Sequence, residues 1–214
     1  MAKNKKKNQK IIGFIIGGAV LFLLMLAGIY WWIDKQYQDK IYPHIYVGDQ
    51  ALGGKTYLEA LEILDNAKKD FDNNGLSFQY QETTNIIPTT LIKDEPSGLS
   101  TDILTINSQE TTNAAYAYAK DSFWQKIRIL FCKKKISLTY NLDPAELTDV
   151  LSEKFSSFEN PAQDAKLTFN ADGSITISDE TLGEAFNWEK VITQVNNNVE
   201  NLNNQKIELV LEAD

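Results

Sequence analysis

The longest apolar run, Ile11 to Ile33, holds no charged residue over 23 positions and ends in the rings of Tyr30, Trp31 and Trp32. As a helix it would rise about 34 Å, enough for a hydrocarbon core about 30 Å thick. A cleaved signal peptide has a shorter apolar core and a small-residue cleavage site, whereas this run continues directly into rings that favour a membrane interface. An uncleaved transmembrane helix is expected over residues 11–33, between a basic tail at 1–10 and a polar stalk at 34–44.

Past the stalk the pattern alternates between two periods. Ile45 to Val47 read as a short strand and Gly53-Gly54 as a turn. Thr56 and Glu59 then form a capping box, each side chain placed to satisfy the other's backbone N–H. The helix it opens runs to about Asp70, with Tyr57, Ala60, Leu61, Leu64, Ala67 and Phe71 on one face, and Asn73-Asn74-Gly75 stops it. Leu76, Phe78 and Tyr80 alternate with polar residues as a half-buried strand. A second extended stretch covers Asn85 to Ile92, where Pro88 argues for an edge. After a loop at Pro96-Ser97-Gly98, a helix starts at Asn107 or Ser108. Another places Phe123, Trp124, Ile127, Leu130 and Phe131 on one face.

The second half follows a similar order. Ile136, Leu138 and Tyr140 alternate as a strand. Asp143-Pro144-Ala145-Glu146 opens a helix with an acidic cap and proline at its first position, and Leu147, Val150, Leu151, Phe155 and Phe158 form its stripe. Leu167 and Phe169, then Ile175 and Ile177, flank the hairpin signal Asp172-Gly173. A last helix from Trp188 to about Leu202 carries Val191, Ile192, Val195 and Val199, and a strand from Lys206 to Glu212 closes the chain. The fold class expected is α+β: a transmembrane helix, then an ectodomain of two related units, 45–135 and 136–214, with helices packed on antiparallel sheet.

Charge adds orientation. Five lysines, Lys3, Lys5, Lys6, Lys7 and Lys10, precede the span, while Lys35 and Lys40 after it are balanced by Asp34 and Asp39. That asymmetry predicts a single pass with the N-terminus in the cytoplasm and the rest outside the cell membrane. Chemistry dependent on cytoplasmic nucleotide cofactors is thereby disfavoured. From residue 41 on, 14 basic residues (21 less 7) face 27 acidic ones (29 less 2), which argues against nucleic acid as a partner. One cysteine, Cys132, rules out an intrachain disulfide, and with one histidine, His44, a zinc site cannot be assembled without carboxylates making up the ligand number.

The segment Val47 to Ala60, VGDQALGGKTYLEA, carries Gly54, Thr56, Glu59 and Ala60 in a glycine-turn-to-helix pattern. It resembles the peptidoglycan-binding domain family found ahead of VanW-type domains and of YkuD-type L,D-transpeptidase domains. The similarity extends through Asn113 to Lys120, the strand at Ile136 and the segment ISDETLGEAFNWEKV. Family members often have Gly-Arg where this chain has Ala119-Lys120. The chain stops at Asp214, about where a following VanW or transpeptidase domain would start. The resemblance implies a place near the cell wall.

Candidate chemistry is sparse. Cys132, in LFCKKK, lacks the His, Gly and Ser neighbours of a transpeptidase nucleophile and reads as a small apolar residue. Asn170 to Ser174 lacks the acidic ligands of a calcium loop. Asp179, Glu180, Glu184 and Glu189 read as solvated groups at a helix entrance. No catalytic residue, metal ligand or cofactor is expected. Lys126, Arg128, Lys133, Lys134 and Lys135 form the one basic cluster outside the membrane flanks, suited to wall phosphates, lipid headgroups or an acidic partner; a solvated helix face is the alternative. Tyr116 and Tyr118 could stack on sugars or belong to the core. The function expected is a non-catalytic, membrane-anchored extracytoplasmic domain that binds peptidoglycan or positions a partner at the wall. A protein–protein scaffold of an envelope complex without glycan affinity is the alternative.

Overall fold

In the computed structural model, which describes residues 2–94, 99–120, 122–169 and 173–213, the chain opens with one long helix, α1 (Ala2–Gln36). Its segment Ile16–Gln36 is long and apolar enough to cross a membrane. Leu21, Leu23, Leu24 and Met25 all lie exposed there. A helix apolar all round and left uncovered by its own protein is matched to lipid rather than water.

Residues 34–44 do not form the polar stalk expected of them. Ile41 and Tyr42 are buried in the core, and Ile41 N–H donates to the Lys55 carbonyl at 2.8 Å. The polar residues around them hide two apolar anchors, so the folded domain begins immediately after α1 with little free tether.

Strands β1 (Ile45–Val47) and β2 (Gln50–Ala51) form a tight hairpin. Gly48 turns it at φ 55°, and a Cβ there would sit 2.5 Å from the Asn201 carbonyl carbon, so only glycine permits the approach. The predicted capping box opens α2 (Tyr57–Asn74): Glu59 N–H donates to Thr56 Oγ1 at 3.3 Å and Thr56 N–H to Glu59 Oε2 at 2.8 Å. Gly75, at φ 63°, ends it. Then come β3 (Leu76–Tyr80), β4 (Thr83–Ile87), β5 (Thr90–Asp94), β6 (Leu99–Asp102) and β7 (Leu104–Ile106). The extended stretch around Pro88 is therefore two strands, broken where proline cannot donate to a ladder. The loop expected at Pro96 to Gly98 lies outside the described residues.

Helices α3 (Ser108–Ala117) and α4 (Phe123–Phe131) follow. Next are β8 (Lys134–Ile136), β9 (Tyr140–Leu142) and α5 (Pro144–Phe155), whose cap Asp143 accepts from Ala145 and Glu146 N–H at 3.1 and 3.0 Å. The chain ends with β10 (Lys166–Phe169), β11 (Ile175–Ser178), β12 (Glu184–Phe186), α6 (Trp188–Glu200), β13 (Ile207–Glu208) and β14 (Leu211–Ala213). The strand expected from Ile136 through Tyr140 is split between β8 and β9, and that from Lys206 to Glu212 between β13 and β14, because each half joins a different partner.

The fold is α+β, but its sheets are mixed rather than antiparallel throughout. β1 pairs with β8 and β3 with β13 in parallel, while the other ladders are antiparallel. Parallel neighbours must come from well-separated parts of the chain. Here they tie the stretch before α3 to the stretch after α4, and the β7–β9 ladder does the same. One core runs through both, from Ile45, Val47 and Leu64 through Phe71 and Phe78 to Leu147, Leu151 and Phe155. Each such side chain contributes about 1.5–3 kcal/mol by leaving water. Rings of Tyr80, Phe155, Phe158, Phe186 and Trp188 continue it in edge and tilted contacts.

Candidate functional site

The residues proposed from sequence as a basic cluster divide into two environments. α4 begins at Ser122, whose hydroxyl accepts from Gln125 N–H at 3.5 Å. The helix does gather Phe123, Trp124, Ile127, Leu130 and Phe131 on one side, yet that side is not the one the domain covers. Lys126 and Ile129 face inward instead, and Lys126 is only 8% exposed.

Burial of a lysine requires partners. Lys126 Nζ lies 2.5 Å from Asp34 Oδ1 at the end of α1 and donates to Tyr30 Oη at 3.3 Å. The rings of Tyr30 and Tyr42 lie 5.3 and 5.9 Å from it. Burial alone would lower the pKa of this ammonium, but its hydrogen bonds to Asp34 and Tyr30 outweigh that and hold it above the ordinary lysine value. Tyr42 also donates to Asp34 at 3.2 Å. Lys126 is thus the clamp between the membrane helix and the domain, and not a free surface cation.

Arg128, Lys133, Lys134 and Lys135 are exposed. Lys133 Nζ lies 5.5 Å from the Tyr46 ring centroid, Lys134 Nζ 5.5 Å from that of Tyr118, and Lys135 Nζ donates to Asn201 Oδ1 at 2.5 Å. The parallel pairing of β8 with β1, and the packing of α3 against both, bring these groups together. Lys134 thus meets Tyr118 beyond the end of α3, whereas Lys133 and Lys135, on either side of it along the chain, meet Tyr46 and Asn201. Tyr116 is half-buried, edge-on to Tyr57, with Lys120 Nζ 3.2 Å from its ring centroid. α3 ends before this point: Ala119, buried at φ 68°, holds the left-handed conformation that glycine adopts without strain.

Other candidates are placed apart. Cys132 is exposed at the end of α4. His44 Nδ1 donates to the Ile129 carbonyl at 3.0 Å. Asp179, Glu180, Glu184 and Glu189 are exposed, and Glu184 accepts from the Asn160 amide at 3.4 Å. Asn170 to Asp172 lie outside the described residues. Among the described residues no group of three or more His, Cys, Asp and Glu side chains is arranged to hold a metal.

Two features were not singled out from the sequence. A groove of about 640 Å³ between α5 and α6 is lined by Thr148, Asp149, Trp188, Glu189, Ile192 and Thr193. Trp188 is half-buried against the core at the start of α6, where a large ring commonly keeps an edge in solvent. The β10–β11 hairpin, correctly located, presents Leu167, Phe169, Ile175 and Ile177 to solvent rather than to the core, with Phe169 75% exposed. Alternation showed that these four share a face but not that the face is bare.

A model of the family described as "Putative peptidoglycan binding domain" matches residues 100–208. No curated protein and no solved structure matches the chain.

Proposed function

The chain belongs to this peptidoglycan-binding domain family, and from that premise we propose that it is a single-pass membrane protein whose extracytoplasmic domain binds peptidoglycan without transforming it. The observation that carries the reading is the family match over residues 100–208, in a domain joined through Asp34 and Lys126 to a helix apolar enough to span a membrane. The lysines in the first turns of α1, ahead of its apolar segment, favour a cytoplasmic N-terminus, and the family's association with VanW-type and YkuD-type domains supports a position at the wall.

The binding surface proposed is that around β8, with the exposed Arg128, Lys133, Lys134 and Lys135 and the half-buried Tyr116 and Tyr118. Ammonium and guanidinium groups suit the carboxylates and phosphates of wall polymers, and an aromatic face suits a sugar ring. Lys126 positions this surface rather than contacting ligand. Full-length protein in nanodiscs, incubated with purified sacculi, should be retained by pelleting. Replacing Lys133, Lys134 and Lys135 with glutamine should lower retention and flatten its salt dependence. Equal retention of wild type and triple variant, or none for either, removes this surface from the proposal.

The bare face of the β10–β11 hairpin favours a second reading, an envelope scaffold holding a protein partner through apolar contact. An envelope protein that co-purifies with the wild type but not with Phe169→Ser, together with no sacculus binding, would select it.

A further inference from the structure

We propose that α4 is a second membrane contact: it lies in the plane of the bilayer surface beside α1, with its exposed side chains in the outer edge of the acyl region. This rests on the reading of α1 as a membrane span and goes beyond it. Phe123, Trp124, Ile127 and Phe131 are exposed on one arc of α4, Trp124 at 76% and Phe131 at 82%. Gln125 and Arg128 occupy another arc, and Lys126 and Ile129 the buried one. One helix therefore has a side for the domain, a side for water and an apolar side that the described residues leave largely exposed.

What covers it follows from position. Ile127, Leu130 and Phe131 of α4 and Leu26, Ile29, Tyr30 and Ile33 of α1 line one apolar groove of about 220 Å³, and the rings of Phe123 and Tyr30 lie 5.2 Å apart. The uncovered face of α4 is thus continuous with the uncovered face of the span. Leu26 to Ile33 rise about 10 Å along α1, so α4 sits over the last part of the span, within the depth of about 5–10 Å that in-plane amphipathic helices reach. Trp31 and Trp32, also exposed, mark the same level. The Lys126–Asp34 clamp then fixes the angle between the two helices. With two contacts instead of one, the domain is held at a set tilt above the membrane rather than swivelling on a tether.

Spin labels test this in the full-length chain reconstituted in phospholipid vesicles. In a Cys132→Ser background, single cysteines are placed at Leu24, Trp124, Gln125 and Phe131, and depth is read from oxygen against water-soluble nickel-chelate accessibility. The expected result is Leu24 deep, Trp124 and Phe131 about 5–10 Å below the phosphates, and Gln125 aqueous. Labels at Trp124 and Phe131 as aqueous as Gln125, with Leu24 still deep, overturn the α4 contact and leave the span intact. An aqueous Leu24 overturns both. Spin–spin broadening at Trp124 and Phe131 without oxygen contact assigns the face to a second copy and also overturns it. Should those cysteine variants fail to fold, the intact chain in vesicles of brominated lipid gives an independent reading. Trp124→Phe should remove part of the bromine-quenched emission, and an unchanged quenched fraction overturns the proposal.

Discussion

Helices α4 and α6 are both one-sided in sequence, yet they treat that side in opposite ways. α6 turns Val191, Val195 and Val199 into the core, each spaced one turn from the next. α4 turns Phe123, Trp124 and Phe131 outward and buries Ile129 with the stem of Lys126. An apolar stripe states that a helix needs an apolar neighbour without stating which. The residue types differ in keeping with the outcome. Compact β-branched side chains fill a close-packed interior, while large rings suit a boundary where one edge meets acyl chains and the other meets water.

Introducing a charge on each stripe is the sharpest way to break this comparison. Val195→Asp puts an unpaired carboxylate into the core and should cost about 4 kcal/mol or more, leaving little folded protein. Trp124→Asp, in the first turn of α4 where the helix dipole favours an acid, should change thermal stability in detergent by about 0.5 kcal/mol or less. Circular dichroism melts of the two variants decide it; equal losses would mean that α4 is packed by protein after all.

The clamp that turns α4 should show an intermediate effect. Lys126→Met removes the cation from Asp34 and Tyr30, and a loss of about 2 kcal/mol is expected, with Asp34→Asn smaller because Asp34 remains half exposed. If Lys126→Met melts like the wild type, the orientation of α4 is set by its apolar contacts alone.

The smallest effects belong to helix starts, which depend on no distant partner. Thr56→Ala should cost about 1 kcal/mol. The backbone N–H of Thr56, and then its hydroxyl, hold the Glu59 carboxyl below the usual glutamate value. With the folded pKa below the unfolded one, Glu59's contribution is complete above the ordinary glutamate range and disappears as pH falls through the lowered value. A wild-type melting curve should therefore lose this increment in acid, whereas Glu59→Gln should show less pH dependence there.

Sequence by itself determined the membrane-length apolar run, the helix starts at Thr56 and Asp143, that of α3 to within the pair Asn107 and Ser108, and the α+β class. The reason is that each rests on contacts within three or four residues: a capping side chain reaches the next turn, and a periodic stripe is a property of its own segment. It also located the hairpin around Gly173 and the resemblance of Val47 to Ala60. Tertiary structure alone decided which stripe would be covered, and by what. Lys126 meets a carboxylate 92 positions away, and Lys134 in β8 lies beside Ile45 of β1. Residues 34–44 read as a stalk because Ile41 and Tyr42 stand among polar neighbours, and only the folded chain brings an apolar core to them. Burial of a few side chains and the pairing of short strands depend on segments far apart in sequence, whose juxtaposition no local pattern encodes.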